Sequence, residues 1–364
     1  MTSNIIKFVW GNKIHEIHNP DPNETILNYV RLKLKRTGTK EGCAEGGCGS
    51  CTVVLGELKK NNIIYKAINA CIAFTPSLEG KLLILVEDLV LKGELHPVQK
   101  AMVDFHGSQC GFCTPGFVMS LFAMYKNYSS YNYNVIKDSI QGNLCRCTGY
   151  RPIVDAAKSL IKKRKSDHFS RDKKNIVTLL KKIKQRSIAI NVNNKKYFAP
   201  KTINELKKII KQNPNSKLLS GGTDVSLIVT KERKDLNSII YMNSIDELNY
   251  IKKDKNYIEV GASTPLISFE SYIKKYFPDF AQILKRYGSV QIRNVCTIAG
   301  NIATASPIGD TLPLLLSLDA QIVIKDKSKT KILPLNRFFI NYRKTRLKKG
   351  QFIHSIRIPL LLKN

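Results

Sequence analysis

Eight of the nine cysteines of this chain fall into two groups, 43/48/51/71 and 110/113/145/147, with Cys296 alone. No other feature limits the possible folds as strongly. The N-terminal stretch "MTSNIIKFVWGNKIHEI" alternates like a strand and lacks the long apolar core of a signal peptide, so the expected location is the cytoplasm. In a reducing compartment, clustered cysteines favour metal or redox chemistry over structural disulfides. The first three lie in "TKEGCAEGGCGSCT" (39–52) with the spacing C-x4-C-x2-C, and nineteen residues separate Cys51 from Cys71. That is the spacing of a plant-type [2Fe–2S] ligand set. Such a cluster needs four thiolates, because soft sulfur offsets the positive charge of two irons. It also needs a loop that wraps closely and aims N–H groups at sulfur, and Gly42, Gly46, Gly47 and Gly49 free the backbone to do so. Structural zinc usually pairs C-x2-C knuckles, and a catalytic thiol needs a positioned base. His15 and His18 sit in the first hairpin without such a pattern.

The second group reads C-x2-C…C-x-C, "CGFC" at 110–113 and "CRC" at 145–147. Spacing alone leaves zinc, a redox dithiol and a cluster open. A thioredoxin-type CxxC needs a βαβ context, whereas these cysteines lie among helical patterns. Beside the first set, a second, helix-held [2Fe–2S] cluster is the more economical reading. Two clusters in series make a wire, which needs a source and a sink of electrons.

Composition bears on partners. The chain has 364 residues, 59 of them basic and 28 acidic, for a net charge of +31. The lysines are dispersed, often beside asparagine, and no nucleic-acid-binding module is present, so the charge reads as a solvated surface and no nucleic acid is expected. The remaining reading of the charge is electrostatic docking of an anionic partner. No apolar run reaches the length of a membrane span; "TLPLLLSLDAQIVI" (311–324) is cut by Asp319.

Length suggests two or three domains, and the hydrophobic period changes along the chain. Residues 1–86 read as strands with one helix: "NIIKFVW" and "KIHEIHN" flank a "GN" hairpin turn, and "ILNYVRLKLK" follows the start signal "DPNET". Residues 87–160 place apolar residues at helical spacing, broken at "CGFCTPG" and around "CRC". A basic linker is expected over 161–195. Residues 196–364 mix helices and strands, with a glycine turn in "KLLSGGTDVSL" where backbone N–H groups can meet an anion such as a pyrophosphate. Alone, such a turn is more often only a turn. "RNVCTIAGNIATASPIGDTLP" packs small residues and an Asp into one irregular stretch, which would let a flat cofactor reach the backbone.

Together, "TKEGCAEGGCGSCTVVLGEL", "HPVQKAMVDFHGSQCGFCTPGFVMS" and "GNLCRCTGYRPI" resemble the iron–sulfur domains of the molybdenum hydroxylases. The likeness extends over nearly the whole chain and is nearest to the small, iron–sulfur/FAD subunit of the bacterial members that oxidise xanthine. The resemblance implies a multidomain α+β fold. A β-grasp [2Fe–2S] ferredoxin domain would be followed by an all-α [2Fe–2S] domain and an FAD-binding domain of the vanillyl-alcohol-oxidase/PCMH type. It implies that Cys43, Cys48, Cys51 and Cys71 hold one cluster. Cys110, Cys113, Cys145 and Cys147 would hold the other, nearer a molybdopterin carried by a partner subunit. It also implies FAD contacts from Leu218, Leu219, Ser220, Gly221, Gly222, Thr223, Asp224 and Val225 at the diphosphate. Further contacts would come from Thr297, Ile298, Ala299, Gly300 and Asn301 in a second loop, and from Tyr287, Asp310 and Ile353. No G-x-G-x-x-G follows a strand, so this is not a Rossmann site.

Electrons would then pass from the molybdopterin-binding large subunit through both clusters to FAD, and on to NAD+, in a hetero-oligomer that oxidises hypoxanthine and xanthine. No residue of this chain is expected to catalyse the hydroxylation. The same features fit the corresponding subunit of a hydroxylase acting on an aldehyde or N-heterocycle, or an iron–sulfur module without flavin. Three departures from the family pattern carry expectations. Ala299 replaces a common glycine and would crowd the cofactor. Gly47 replaces a common acidic residue and would shift a cluster potential. The family's C-terminal lobe, which would add flavin and NAD contacts, does not follow "FIHSIRIPLLLKN".

Overall fold

The computed structural model describes residues 4–162, 166–183 and 186–360. The alternation in the first twenty residues forms the hairpin β1 (Ile5–Trp10) and β2 (Lys13–His18), turned by Gly11 at φ +58. Thr25 caps α1 (Ile26–Asn28), its Oγ1 accepting from Asn28 N at 3.1 Å, and a wider turn continues to Lys33. After the cysteine loop, β3 (Thr52–Lys59) and β4 (Asn62–Asn69) pair antiparallel along their whole length. β5 (Leu82–Ile84) inserts parallel to β1, giving the order β2-β1-β5-β3-β4 expected of a β-grasp sheet.

The helical period then produces α2 (Pro97–Asp104), α3 (Thr114–Asn127), α4 (Tyr133–Ile140) and α5 (Arg151–Lys162). α3 is buried from Gly116 to Tyr125 because it packs on the sheet and on its neighbouring helices at once. Asn127 closes it by imitating a strand partner: its amide accepts from Tyr65 N at 3.3 Å and donates to Tyr65 O at 2.6 Å.

The stretch 161–195, expected as a solvated linker, is different. It carries α6 (His168–Arg171), α7 (Lys173–Lys182) and the strand β6 (Ile188–Val192). Phe169, Ile176, Val177, Leu180 and Ile183 are buried in the core shared by the first sheet and the helical domain. Each such side chain stabilises the docking by about 1.5–3 kcal/mol. Lys173, Lys174, Lys181 and Lys182 of α7 are exposed, so the averaged charge of the segment concealed an apolar stripe of helical period. Residues 163–165 and 184–185 of the stretch lie outside the described residues.

The last part contains two sheets. β6, β7 (Lys195–Ala199), β8 (Lys217–Leu219) and β9 (Ser238–Tyr241) are ordered β6-β7-β9-β8, covered by α8 (Ile203–Gln212), with α9 (Leu227–Thr230) following the glycine turn. The second sheet is antiparallel throughout, built from β10 (Ile251–Lys253), β11 (Tyr257–Gly261), β12 (Gln321–Lys325), β13 (Thr330–Pro334) and a strand at Phe352–Pro359. α10 (Leu266–Ile273), α11 (Pro278–Arg286), α12 (Val290–Arg293), α13 (Ile298–Thr304) and α14 (Thr311–Ser317) connect its strands, and all but α12 complete its core with their buried faces. A two-stranded ribbon, β14 (Phe339–Asn341) with β15 (Lys344–Thr345), precedes β16, the strand at Phe352–Pro359. No helix among the described residues is long and apolar enough to cross a membrane.

Candidate redox site

The first cysteine loop has no regular structure and is shaped by glycine. Gly46 takes φ +81 and Gly49 φ +72, values that side chains disfavour. A Cβ at Gly42 would stand 2.8 Å from Cys48 Sγ. The loop thereby turns its N–H groups inward: Glu45, Gly47 and Cys48 donate to Cys43 Sγ at 3.5, 3.3 and 3.3 Å. Cys51 and Cys71 are buried at the start of β3 and just after β4, beside Cys43. The hydrogen bond from Cys71 pulls the Cys43 thiol down to about 3, against burial and with help from the backbone N–H groups. The loop therefore favours thiolate, the form that binds metal, at Cys43 and Cys51, while Cys71, which donates to both, is pushed the other way.

The second set lies at the ends of helices. Cys113 immediately precedes α3, and Gly111 at φ +82 bends "CGFC" so that Cys110 returns to the surface. The thiols associate in pairs, Cys110 with Cys147 and Cys113 with Cys145. Burial, then the bond to Cys145, pushes Cys113 up to about 12. Burial also opposes ionisation of Cys145, but Thr148, whose Oγ1 lies 3.1 Å away, brings it below its ordinary value. Among the described residues no three such side chains converge on a single ion. The second set's four thiols, lying as two pairs, and the first set's, in which Cys71 bonds to both Cys43 and Cys51, each supply the four sulfur donors that a [2Fe–2S] cluster takes.

The two loops touch. Leu144 N donates to Cys48 O at 3.0 Å, so one hydrogen bond joins the residue before Cys145 to a ligand candidate of the first set. The first loop also meets the flavin-type half, Lys231 Nζ donating to Cys43 O at 3.3 Å, and so does β4, where Ala67 O accepts from Asn294 Nδ2 at 2.8 Å.

In that half, Leu218–Val225 leaves β8 as a tight turn, and its glycines are required. A Cβ at Gly221 would meet Val295 O at 2.3 Å; Gly222, at φ +74, would meet Ile72 O at 2.9 Å. The turn therefore rests both on the residue after Cys71 and on the segment leading into Thr297. Thr297 caps α13 by accepting from Gly300 N at 3.0 Å, and a Cβ at Gly300 would meet only Thr297 Oγ1, leaving that face open. Ala299 and Ile298 point into the apolar core, so the Ala299 methyl does not crowd the open face as expected. Asn301 donates to the Tyr287 hydroxyl at 3.1 Å and accepts from Thr311 Oγ1 at 2.6 Å. Burial, with Cys296, Asp310 and Asp224 nearby, raises the Tyr287 phenol. Asp224 itself pairs with Arg343 at 3.6 Å.

Ile353 lies within β16 opposite Ile324, buried in the sheet's core. Asp310 is exposed, at the edge of a cleft of about 330 Å3 lined by Gly309, Leu312, Leu316, Phe339 and Tyr342. Sequence reasoning missed this cleft, since the β14–β15 ribbon that walls it shows no recognisable signal. It also missed two buried oxygens without partners, Ser226 Oγ beside Gly222 and Asn243 Oδ1 near Val295. The Ser226 hydroxyl beside the glycine turn has a proton that a phosphate oxygen could accept, so the turn fits a flavin diphosphate, whereas Asn243 Oδ1 can only accept and calls for a ligand donor.

Comparison with known proteins gives a concordant picture. Residues 10–75 match the family model of a 2Fe-2S iron–sulfur cluster binding domain, 85–158 that of a [2Fe-2S] binding domain, and 190–361 that of an FAD binding domain in molybdopterin dehydrogenase. Xanthine dehydrogenase of Emericella nidulans is 33% identical over 93% of this chain and 29% of its own length. Xanthine dehydrogenase/oxidase of Rattus norvegicus is 31% identical over 98% of this chain and 30% of its own length. The chain thus spans about three tenths of these curated relatives. Among solved structures, quinoline 2-oxidoreductase from Pseudomonas putida 86 matches 44% of this chain and 98% of its own, with 26% identity and a TM-score of 0.37.

Proposed function

The chain belongs to the molybdenum hydroxylases, whose two [2Fe–2S] domains and FAD-binding domain it carries in order, and on that premise we propose that it is the electron-transfer subunit of a xanthine dehydrogenase. Its partner would be a molybdopterin-binding large subunit that oxidises hypoxanthine or xanthine, with NAD+ as final acceptor. When bound, the clusters carry single electrons and the flavin collects two for delivery to NAD+.

This chain's own residues bind and orient. Cys110, Cys113, Cys145 and Cys147 hold the entry cluster; Cys110 and Cys147 are exposed and flanked by exposed Phe112 and Leu144, a surface a partner subunit can cover. Cys43, Cys48, Cys51 and Cys71 hold the inner cluster, with the N–H groups of Glu45, Gly47 and Cys48 directed at Cys43 sulfur. Leu218–Val225 and Thr297–Asn301 cradle the flavin, with Tyr287, Asp310 and Ile353 around them.

The observation that carries this reading is the order of contacts: the exposed second loop bonds to Cys48 O through Leu144 N, and Ile72, next to Cys71, lies against Gly222. The test is to purify the chain with the subunit that accompanies it and measure iron, sulfide and flavin, then NAD+ reduction with xanthine. Two [2Fe–2S] clusters and one flavin per chain, with xanthine-dependent NADH formation, are expected. A colourless zinc protein, or one with full iron and no flavin, would overturn it.

A further inference from the structure

The assignments above leave unused a set of buried polar groups where the three domains meet. Three glycines bring the backbones of the two cysteine loops into direct contact there. A Cβ at Gly49, between Cys48 and Cys51, would stand 2.1 Å from Gly142 O, and one at Gly116, on α3, would stand 2.3 Å from Gly49 O. Asn143 Nδ2 donates to Gly49 O at 3.0 Å, and Ser120 Oγ donates to Asn143 Oδ1 at 2.7 Å. Into this junction the flavin-type domain inserts Gln291, which is fully buried. Its Nε2 donates to Ser120 Oγ at 3.0 Å and Asn143 Oδ1 at 3.1 Å, with Thr52 Oγ1 at 3.4 Å.

The amide can face only one way. Ser120 has committed its proton to Asn143, and Thr52 donates its own to Gly49 O at 2.6 Å, so all three neighbours present lone pairs. Gln291 Oε1 is thereby turned toward Gly142 without a conventional partner, at 2.4 Å from where a Cβ would be. Arg293, two residues on and also fully buried, holds the segment in place: it donates to Lys285 O at 3.0 Å and Tyr287 O at 3.3 Å and pairs with Asp138 of α4.

A buried polar network of this kind stabilises less than a well-packed apolar contact, but it admits one geometry where apolar packing admits several. We propose that Gln291 is a positioning residue: from the flavin domain it fixes the spacing between the two cysteine loops, and hence between the clusters they would hold. The inference rests on the reading of those loops as cluster ligands. Docking of the flavin domain and the spacing of the inner and entry clusters become one structural event.

The test uses the full chain with both clusters and flavin bound, reduced with dithionite, and reads the distance distribution between the paramagnetic clusters by dipolar electron paramagnetic resonance. The parent should give one narrow distribution. Gln291→Met, near in volume but without donors, should lose it to a broadened or shifted one at unchanged iron and sulfide per chain. Ile322→Ala, within β12 in the core of the second sheet, controls for stability: it should melt earlier yet keep the parent distribution. Gln291→Asn, which keeps an amide but cannot reach both acceptors, serves where Gln291→Met does not fold. A parent-like distribution in the Gln291 variants, or equal broadening in Ile322→Ala, overturns the positioning role alone. A parent lacking two cluster signals overturns the proposed function with it.

Discussion

Asp167 offers a quantitative test of how the segment at 161–187 is anchored. Its carboxylate opens α6 and is almost wholly buried, with 1% of the side chain exposed. It accepts from Lys126 Nζ at 2.7 and 3.0 Å and from Ser170 N at 2.7 Å, and His96 Nε2 lies 3.1 Å away. In Asp167→Asn the side-chain oxygen still caps α6, so the substitution removes the charge while sparing the cap. It removes the Asp167 negative charge from beside the Lys126 ammonium, which is 7% exposed. Breaking a buried pair by removing one partner costs about 3–5 kcal/mol, and at roughly 2–4 °C per kcal/mol for a unit of this size the midpoint should fall by about 10 °C. Burial alone would raise this carboxyl, but the bonds from His96 and Lys126 outweigh it and hold it well below the ordinary value of 3.8. A carboxyl depressed in the folded state stabilises above its unfolded value, and the contribution is lost as pH falls through the folded value. The gap between parent and variant should therefore be full at neutral pH and begin to narrow only below 3.8. Thermal melts at neutral and acid pH, with limited proteolysis across 161–187, read both effects. An unchanged midpoint at neutral pH, or a gap that has already closed well above 3.8, would refute the reasoning.

Three further outcomes follow from the same structure. Cys113→Ser should remove one cluster signal and about half the iron while the first set's spectrum persists; loss of both signals in a folded protein would contradict separate sites. Gly221→Ala places a methyl 2.3 Å from Val295 O and should release flavin on gel filtration while leaving iron and sulfide unchanged. Arg293→Met should cost about 3–5 kcal/mol by stranding the buried Glu270, with little added by Asp138, which is more than a third exposed. Burial raises the Glu270 carboxyl even with Arg293 beside it, and a carboxyl raised in the folded state loses stability as pH climbs from its unfolded to its folded value. Chemical denaturation should therefore find the largest deficit at neutral pH and partial recovery in acid.

Much of this architecture is legible in the sequence because its parts are local. The C-x4-C-x2-C loop, the "GN" hairpin turn and the helical period around "CGFC" each depend on residues within a few positions of one another. The linker was misread for a physical reason: lysines on the outer face of α7 dominate its composition, while Ile176, Val177, Leu180 and Ile183 face inward. The two departures at the site also resolve differently once side chains have directions. Ala299 sends its methyl into the core. A side chain at Gly47 would meet only Glu45 atoms, at 3.8 Å or more, so that glycine is not a steric necessity, and its N–H still donates to Cys43.

What no local reading reaches is the junction around Gln291. Its partners Ser120 and Thr52 lie 171 and 239 positions away, and nothing near "SVQIRNV" marks the glutamine as more than a helix residue. The glycines on the opposing loops carried half of the information. Gly116 and Gly142 stand three residues from Cys113 and Cys145, and both are places where a side chain would strike another loop. A glycine at fixed distance from a ligand cysteine, on a helix or turn whose dihedrals do not require it, marks a close approach by a second backbone. For Gly116, inside α3 at ordinary helical dihedrals, that approach is its sole structural justification, and it comes from the loop that carries Cys48. The two cysteine groups are therefore adjoining sites, joined at positions without reactive side chains.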